Sequence, residues 1–327
     1  MLDMRNVNKI YKVGTFGATT LHAVRDVSVQ IGAGEVVSLI GESGSGKSTL
    51  GKMALRLIST ESGQITFDGA DVLRLRRGGL RAYYRRAQGV FQDPFSSYNP
   101  IFPVDRTFES LRRTNFASLA RQQWQDKVHE AINAVSLNPA DVLGKYPHQL
   151  SGGQLQRLLI ARALMLDIEF LVADEIISML DASTRIDVLN LLGDLKERGL
   201  SILFITHDLS LGNYVSDRVV ILYQGRVVEQ GRTHAVFTDP LHPYTRNLLA
   251  SVPQLNRRWD EVEAEDSVRA AELAGRCLFH EHDEAATLPA FGTVEVAEGH
   301  QVGCFAMSTD DACPMTESTT TTTGARL

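Results

Sequence analysis

The chain has 327 residues, a formal net charge of −6 and 43% hydrophobic residues. This acidic balance argues against a nucleic-acid-binding protein, which normally presents a basic face to phosphates. The apolar runs are far shorter than the about 18 residues that a membrane-spanning helix needs, and three widely spaced cysteines do not make a disulfide framework. The first residues lack the apolar region of a secretory signal, so we expect a protein that stays in the cytoplasm.

Two kinds of strand pattern follow one another along the chain. Residues 1–32 alternate apolar and polar side chains and predict short strands with one buried face. Residues 36–40 are almost continuously apolar, which is typical of a strand buried on both faces of a parallel sheet. The same texture returns at 170–173 and 202–205, with a helical pattern between them. We therefore predict an α/β core of β-α-β units with an N-terminal antiparallel β subdomain.

A glycine-rich turn follows the strand at 36–40 and precedes a helix-forming run that begins at Ser48. It fits G-x-x-x-x-G-K-[ST], and this full pattern between a strand and a helix disfavours an ordinary glycine turn. Glycines let N–H groups converge on phosphate oxygens, and the helix dipole adds to the attraction. Lys47 would neutralise the β- and γ-phosphates, and the Ser48 hydroxyl would bind Mg²⁺. The predicted triphosphate-binding residues are Gly41, Glu42, Ser43, Gly44, Ser45, Gly46, Lys47, Ser48 and Thr49.

Polar side chains follow three other predicted strands, at the sheet edge where α/β proteins bind ligands. Asp174 is placed to hold Mg²⁺, and Glu175 is the candidate base that polarises the attacking water. His207 would contact the γ-phosphate as a neutral imidazole. Gln92 is a candidate contact to Mg²⁺ or the water. The alternatives are a solvated turn for the two acids and a structural role for the histidine.

Residues from about 93 to 165 show helical periodicity and predict a helical subdomain inserted in the core. Inside it, the sequence Leu-Ser-Gly-Gly-Gln opens a helix with a hydroxyl and free N–H groups, which indicates a second anion site. One triphosphate does not need two such cradles on one chain. We therefore predict that this signature serves the triphosphate of a neighbouring subunit, through Ser151, Gly152, Gly153 and Gln154.

Together, these motifs resemble those of the nucleotide-binding subunit of an ABC transporter over residues 1 to about 250. The resemblance implies a P-loop NTPase fold and two ATPase subunits that close head to tail, each ATP lying between one P-loop and the partner's signature. It also implies that Tyr11 stacks on adenine, with an ordinary strand aromatic as the alternative, and that residues 178–181 form the D-loop between the two sites. The family usually has Pro-Thr where this chain has Ile176-Ile177, which leaves the D-loop geometry open.

Residues 239–245 and 248–253 resemble the C-terminal signature of the oligopeptide/dipeptide importer branch, which also contains nickel and oligosaccharide importers. That branch often ends in a four-cysteine segment that can hold an iron–sulfur cluster. Only Cys277 and Cys304 match this segment here. Because a cluster normally needs four thiolates, we expect none, and a weaker metal site at His280 or His282 is the alternative.

We expect an ABC ATPase domain over 1–252, with its insert at about 93–165, a C-terminal extension over 253–315 and a disordered threonine-rich tail over 316–327. An arginine-rich stretch predicts a solvated helix face, and the alternative is contact with lipid headgroups or nucleic acid. Its members are Arg74, Arg76, Arg77, Arg81, Arg85 and Arg86.

The expected function is that of a Mg²⁺-dependent, ATP-hydrolysing importer subunit at the cytoplasmic face of the inner membrane, driving uptake of dipeptides or oligopeptides. Its expected partners are a second ABC ATPase subunit, with a heterodimer favoured, two membrane permeases and an extracytoplasmic substrate-binding protein, but no nucleic acid. Oligosaccharides and nickel are the alternative cargoes. A soluble non-transport ABC ATPase is the first rival, although the chain has neither two fused halves nor a long coiled-coil insertion. An exporter is disfavoured by the segment at 242–244.

Overall fold

The computed structural model describes residues 1–13, 19–178, 180–251 and 292–304. Its strands are β1 (Leu2–Val13), β2 (Thr19–Ile31), β3 (Val36–Ile40), β4 (Ser62–Phe67), β5 (Ala70–Asp71), β6 (Ala87–Val90), β7 (Phe170–Asp174), β8 (Ser201–Thr206), β9 (Arg218–Tyr223), β10 (Arg226–Arg232), β11 (Gly292–Ala297) and β12 (His300–Cys304). Its α-helices are α1 (Lys47–Ala54), α2 (Arg77–Arg86), α3 (Asp105–Asn115), α4 (Arg121–Ala134), α5 (Pro139–Val142), α6 (Gly152–Leu164), α7 (Ala182–Glu197), α8 (Leu209–Val215), α9 (Thr233–Thr238) and α10 (Pro243–Ala250).

The N-terminal sheet is antiparallel and has the order β2-β1-β4-β5. Its first two strands have 12 and 13 residues, so the prediction of short strands in this region is wrong in length. Alternation explains the pairing, because Leu2 and Met4 point into the core while their neighbours are less buried. The predicted antiparallel β subdomain is confirmed.

The central sheet has the order β11-β12-β10-β9-β3-β8-β7-β6 among the described strands. The five strands from β9 to β6 run parallel, whereas β10, β12 and β11 pair antiparallel at the other side. Every residue of β3, β7 and β8 is buried, as their continuous apolar sequences predict. The predicted α/β core is therefore confirmed.

Two hydrophobic cores cover the two faces of the parallel strands. In β7, Phe170 and Val172 pack into the core shared with α1 and the N-terminal sheet. Leu171 and Ala173 face the other core, which contains buried residues of α3, α4, α6 and α7. Because both faces are filled, the ends of β3, β7 and β8 are fixed relative to one another, and the polar residues after them form one edge.

Helices α3 to α6 lie between β6 and β7 in the chain, within the region predicted as an inserted subdomain. Phe116 and Trp124 pack there with ring centroids 5.7 Å apart. Of the extension proposed for 253–315, the structure describes the β11–β12 hairpin, which pairs with β10. Cys277, His280, His282 and the tail at 316–327 lie outside the described residues. No helix in the described parts of the chain has the length and hydrophobicity to cross a membrane.

Candidate functional site

The P-loop runs from the end of β3 into α1, and two of its glycines are required by close backbone contacts. Gly46 has a φ of +103°, and a Cβ atom there would lie 2.2 Å from the Ala23 carbonyl oxygen. A Cβ at Gly41 would lie 2.1 Å from the Leu222 carbonyl oxygen. Helix α1 begins at Lys47, one residue before the predicted start. The loop is thus held between β2 and β9, with its N–H groups at a helix N-terminus.

Lys47 is a buried cation inside this loop, with 5% of its surface exposed. Its Nζ donates hydrogen bonds of 2.7 Å to the carbonyl oxygens of Gly41 and Glu42. Burial lowers the pKa of Lys47, and the nearby carboxylates of Glu175, Asp174 and Glu42 oppose that shift. A desolvated ammonium held by neutral carbonyls attracts an anion strongly, because little water screens it.

Asp174 and Ser48 bring two oxygen ligands together beneath the P-loop. The Ser48 hydroxyl donates to Asp174 Oδ1 at 3.0 Å, and Asp174 is 4% exposed. Burial raises the pKa of Asp174, the charge of Glu175 adds to the rise, and the hydrogen bond from Ser48 opposes it. Asp174 forms no salt bridge with any residue in the described part of the chain. A buried carboxylate beside a hydroxyl, without a protein cation paired to it, fits the oxygen ligands that Mg²⁺ prefers.

Glu175 and His207 meet because β7 and β8 are adjacent and parallel. The Oε1 of Glu175 lies 3.4 Å from Nδ1 of His207, and the two side chains are 17% and 60% exposed. Glu175 has a φ of +49°, an uncommon conformation for a residue with a side chain, and its N–H donates to the Ile205 carbonyl at 2.9 Å. This turn directs the carboxylate to the strand ends rather than into the core.

Gln92 and Tyr11 are less closely joined to these residues. Gln92 is exposed, and its side chain makes no hydrogen bond with any residue that the structure describes. The neighbouring Phe91 carbonyl accepts a 3.3 Å bond from Gln156 of α6, so the Gln92 loop is tied to the signature helix. Tyr11 is half-buried in β1, with Lys9 Nζ 5.4 Å from its ring centroid. Contacts of either residue to metal or adenine stay predictions.

The signature residues form the N-terminus of α6. The Ser151 hydroxyl accepts a 3.2 Å bond from the Gln154 N–H, and the Gln154 side chain accepts one of 3.0 Å from the Ser151 N–H. This capping box fixes the first turn. Gly153 packs against α7, since a Cβ there would lie 3.1 Å from Thr184 Cγ2. No hydrogen bond or ion pair within the described residues joins the signature to the P-loop of the same chain.

Ile176 and Ile177, which replace the usual Pro-Thr, are both 2% exposed. They pack in the core shared with α7, so the substitution is accommodated by burial. Asp181 caps α7 by accepting a 2.9 Å bond from the Thr184 N–H. That bond, with two more from the hydroxyls of Ser183 and Thr184, lowers the pKa of Asp181 to about 2. The start of the D-loop is therefore anchored at both ends.

The arginine-rich stretch is more than a solvated helix face. Arg86 is bonded to Glu169 and Asp68, and Arg74 pairs with Asp71 at 3.2 Å. The remaining members on α2 lie along a groove of about 780 Å³ between α2, α3 and the end of α6. Five arginines line this groove and no acidic residue does: Arg77, Arg81, Arg85, Arg113 and Arg162.

The structure adds contacts to the P-loop that the sequence did not indicate. The Gly225 N–H, in the turn between β9 and β10, donates to the Ser45 carbonyl at 3.0 Å. The Tyr244 hydroxyl accepts a 3.1 Å bond from the Glu42 N–H. Ser45 Oγ is buried without a hydrogen-bond partner among the described residues, which fits a donor waiting for a phosphate oxygen. The His-Pro-Tyr segment was recognised in the sequence, but its contact with the P-loop was not.

Taken together, the residues around the ends of β3, β7 and β8 form an anion cradle, a pair of oxygen ligands for a cation and a carboxylate beside an imidazole. Phosphoryl transfer to water needs these groups, because its catalysis consists mainly of positioning and charge neutralisation.

Comparison with known proteins gives two family matches. The model described as ABC transporter matches residues 24–178. The model described as the C-terminal region of oligopeptide/dipeptide transporters matches residues 228–285. The first match covers the P-loop, the signature and the strand that ends in Asp174, and the second covers the His-Pro-Tyr segment.

Relatives and solved structures agree with these matches. A putative peptide import ATP-binding protein of Brucella ovis is 40% identical over 314 residues, which are 93% of this chain and 97% of that protein. The oligopeptide transport ATP-binding protein OppF of Bacillus subtilis is 44% identical over 237 residues, 72% of this chain and 77% of that protein. The dimeric, post-hydrolysis structure of the ATP-binding cassette MJ0796 with ADP and Pi superposes with a TM-score of 0.65 at 28% identity, covering 71% of this chain and 99% of that chain.

Proposed function

This chain belongs to the ABC transporter ATP-binding family, and on that premise we propose that it is the ATPase subunit of an importer for peptides. The family resemblance seen in the sequence is confirmed, and the chain is an ATPase. The observation that carries the proposal for the site is the meeting of Ser48 with Asp174 at 3.0 Å beneath the P-loop, beside Glu175. The named peptide importers among its relatives support peptides over oligosaccharides or nickel.

ATP binding rests on the P-loop in this proposal. The N–H groups of the loop and the N-terminus of α1 surround the phosphates, and Ser45 Oγ gains the acceptor that it lacks among the described residues. The Lys47 ammonium, now held by two carbonyl oxygens, turns to the β- and γ-phosphates. Tyr11 stacks on adenine.

Asp174 and Ser48 would hold Mg²⁺, with Gln92 as a further ligand once its loop approaches. The bound ion would neutralise phosphate charge that develops during transfer. The raised pKa of buried Asp174 suits this assignment, because a bound cation would favour the ionised form of the carboxylate.

Hydrolysis depends on Glu175 and His207. The Glu175 carboxylate accepts a hydrogen bond from water and directs the water oxygen at the γ-phosphorus atom. As that P–O bond forms, the bond to the β-phosphate oxygen breaks, and ADP leaves with the electron pair. The water proton passes to Glu175 or to the phosphate product. His207, 3.4 Å from Glu175 and largely exposed, contacts the γ-phosphate and detects its loss.

A second ATPase subunit completes the site. Ser151 and the N–H groups of Gly153 and Gln154 are at an exposed helix N-terminus that no described contact joins to the chain's own P-loop. They would close over the ATP of the partner, and Ser48 and Lys47 of this chain would be covered in return. Family precedent favours a heterodimer, and both half-sites of this chain carry the residues for activity.

The arginine-lined groove is our proposed docking surface for a permease at the cytoplasmic face of the membrane. It combines five guanidinium groups with the apolar side chains of Leu80, Leu111 and Leu166, so it suits a short helix that carries both acidic and apolar residues. Arg85→Glu should abolish co-purification with the permeases while ATP binding persists. Arg74→Glu, which lies outside the groove and is 89% exposed, is the matched control. Retention of the permeases by Arg85→Glu would contradict this surface.

The experiment that tests the proposed function is ATP hydrolysis by the complex with its permeases and a peptide-loaded binding protein. Wild type should be stimulated by the loaded protein, and Lys47→Ala should remove both ATP binding and stimulation. An oligosaccharide-loaded or nickel-loaded binding protein serves as the comparison. Stimulation by one of those instead of peptide would replace the cargo but keep the ATPase.

A further inference from the structure

Glu229 of β10 is a fully buried carboxylate that joins three separate segments. It has 0% exposed surface. Its Oε1 lies 2.8 Å from Nε2 of His300 in the C-terminal hairpin and 2.9 Å from the Leu241 N–H. Its Oε2 accepts a 3.0 Å bond from the His242 N–H. Burial alone would raise the pKa of Glu229, but the bonds from His300, Thr245 and these N–H groups outweigh it and lower the pKa.

This carboxylate fixes the entry to α10. Because ionised Glu229 can only accept hydrogen bonds, Nε2 of His300 carries the proton in their contact. His242, the cap of α10, is buried and accepts a 3.1 Å bond at Nδ1 from the Tyr244 N–H. Burial lowers the pKa of His242 to about 4, so it stays neutral at physiological pH. The position of Tyr244 therefore depends on the cap that Glu229 holds.

Tyr244 reaches the P-loop across about two hundred residues of sequence. Its hydroxyl accepts the 3.1 Å bond from the Glu42 N–H, and its ring packs on Tyr223 with centroids 4.3 Å apart. The Glu42 N–H and the Gly41 carbonyl belong to one peptide unit. Lys47 bonds the carbonyl of that unit at 2.7 Å. One peptide of the P-loop is thus held at its N–H by α10 and at its carbonyl by the lysine that must turn to phosphate.

We propose that Tyr244 is a positioning residue for the P-loop and that the C-terminal hairpin, through His300 and Glu229, sets its position. When Lys47 leaves the Gly41 carbonyl for a phosphate, the bond from Glu42 to Tyr244 keeps the peptide oriented. The hairpin therefore tunes the affinity of this chain for ATP. This inference rests on the proposed function, since it assigns a role around the same ATP site.

The first test is equilibrium binding of ATP with Mg²⁺ to the full chain. Tyr244→Phe keeps the ring and removes the hydroxyl, so the Kd for ATP should rise about fivefold, as expected for one neutral hydrogen bond. Tyr223→Phe is the matched control, because its hydroxyl contacts Gln224 and not the P-loop. In steady-state hydrolysis Tyr244→Phe should raise KM while kcat stays within about twofold, a split that general unfolding would not produce.

The second test asks whether His300 acts through Tyr244. His300→Leu removes the donor to Glu229 and should weaken ATP binding, whereas His300→Gln keeps an N–H donor and should restore it. In the Tyr244→Phe background, His300→Leu should have no further effect, because both act on the same contact. Independent, multiplying effects would overturn the role of the hairpin, as would failure of His300→Gln to restore binding. An unchanged Kd for Tyr244→Phe would overturn the role of the tyrosine, whereas absence of ATP binding by wild type would overturn the proposed function itself.

Discussion

The change Glu175→Gln removes the carboxylate that we assign to water activation and leaves nearly everything else. The backbone keeps its φ of +49°, which glutamine tolerates as glutamate does. The only ion pair lost among the described residues is the one with His207, which is 60% exposed. Such an exposed pair contributes under about 1 kcal/mol. The variant should therefore fold and bind ATP like wild type.

Its hydrolysis rate should be much lower. General-base catalysis contributes about 10²- to 10⁴-fold, which corresponds to roughly 3 to 5 kcal/mol in the barrier. ATP would then persist between two subunits, so size-exclusion chromatography with ATP and Mg²⁺ should show a stable dimer. Release of phosphate in single turnover measures the chemical step directly.

The matched control is Glu169→Gln, at the other end of the same strand. Glu169 pairs with Arg86 on the surface and lies away from the site, so the control should hydrolyse ATP at nearly the wild-type rate. Hydrolysis by Glu175→Gln at the wild-type rate would refute the role given to Glu175. Loss of ATP binding in that variant would refute the view that its carboxylate acts only on water.

Three further predictions concern single residues of the site. Gly46→Ala should abolish ATP binding, because the added Cβ would lie 2.2 Å from the Ala23 carbonyl oxygen; normal binding in an equilibrium assay would contradict the tight loop. Asp174→Asn should raise the thermal unfolding midpoint of the nucleotide-free chain at neutral pH, since a raised native pKa makes the ionised form destabilising. That gain should shrink as the pH falls and wild-type Asp174 takes up its proton, and a pH-independent difference would exclude this cause. Ser151→Ala should cost about 1 kcal/mol of helix capping and slow hydrolysis by the dimer while ATP binding to the isolated chain persists; full dimer activity would contradict the signature's role.

The sequence predicted the parts of the site that lie at the ends of continuous apolar runs. β3, β7 and β8 are buried on both faces, so their composition is distinctive, and Lys47, Asp174 and His207 follow or flank their ends. The length of β1 and β2 was not predictable, because long strands with bulges show the same alternation as several short ones.

Contacts across long stretches of sequence were beyond reach. Tyr244 and Glu42 are separated by 202 positions, and no periodicity connects them. The groove between α2 and α3 depends on how two helices pack, so its arginines resembled a solvated face when viewed on one helix alone. The exposed position of Gln92 likewise depends on the loop that carries it, and not on the residue type.

The measurement that tests the central claim most directly is the ATPase rate of the complex reconstituted with its permeases, with and without peptide-loaded binding protein. The account predicts a low basal rate that rises when the peptide-loaded protein is added and that Glu175→Gln eliminates. A rate that no loaded binding protein changes, from a chain that recovers no permease, would contradict the assignment as an importer subunit.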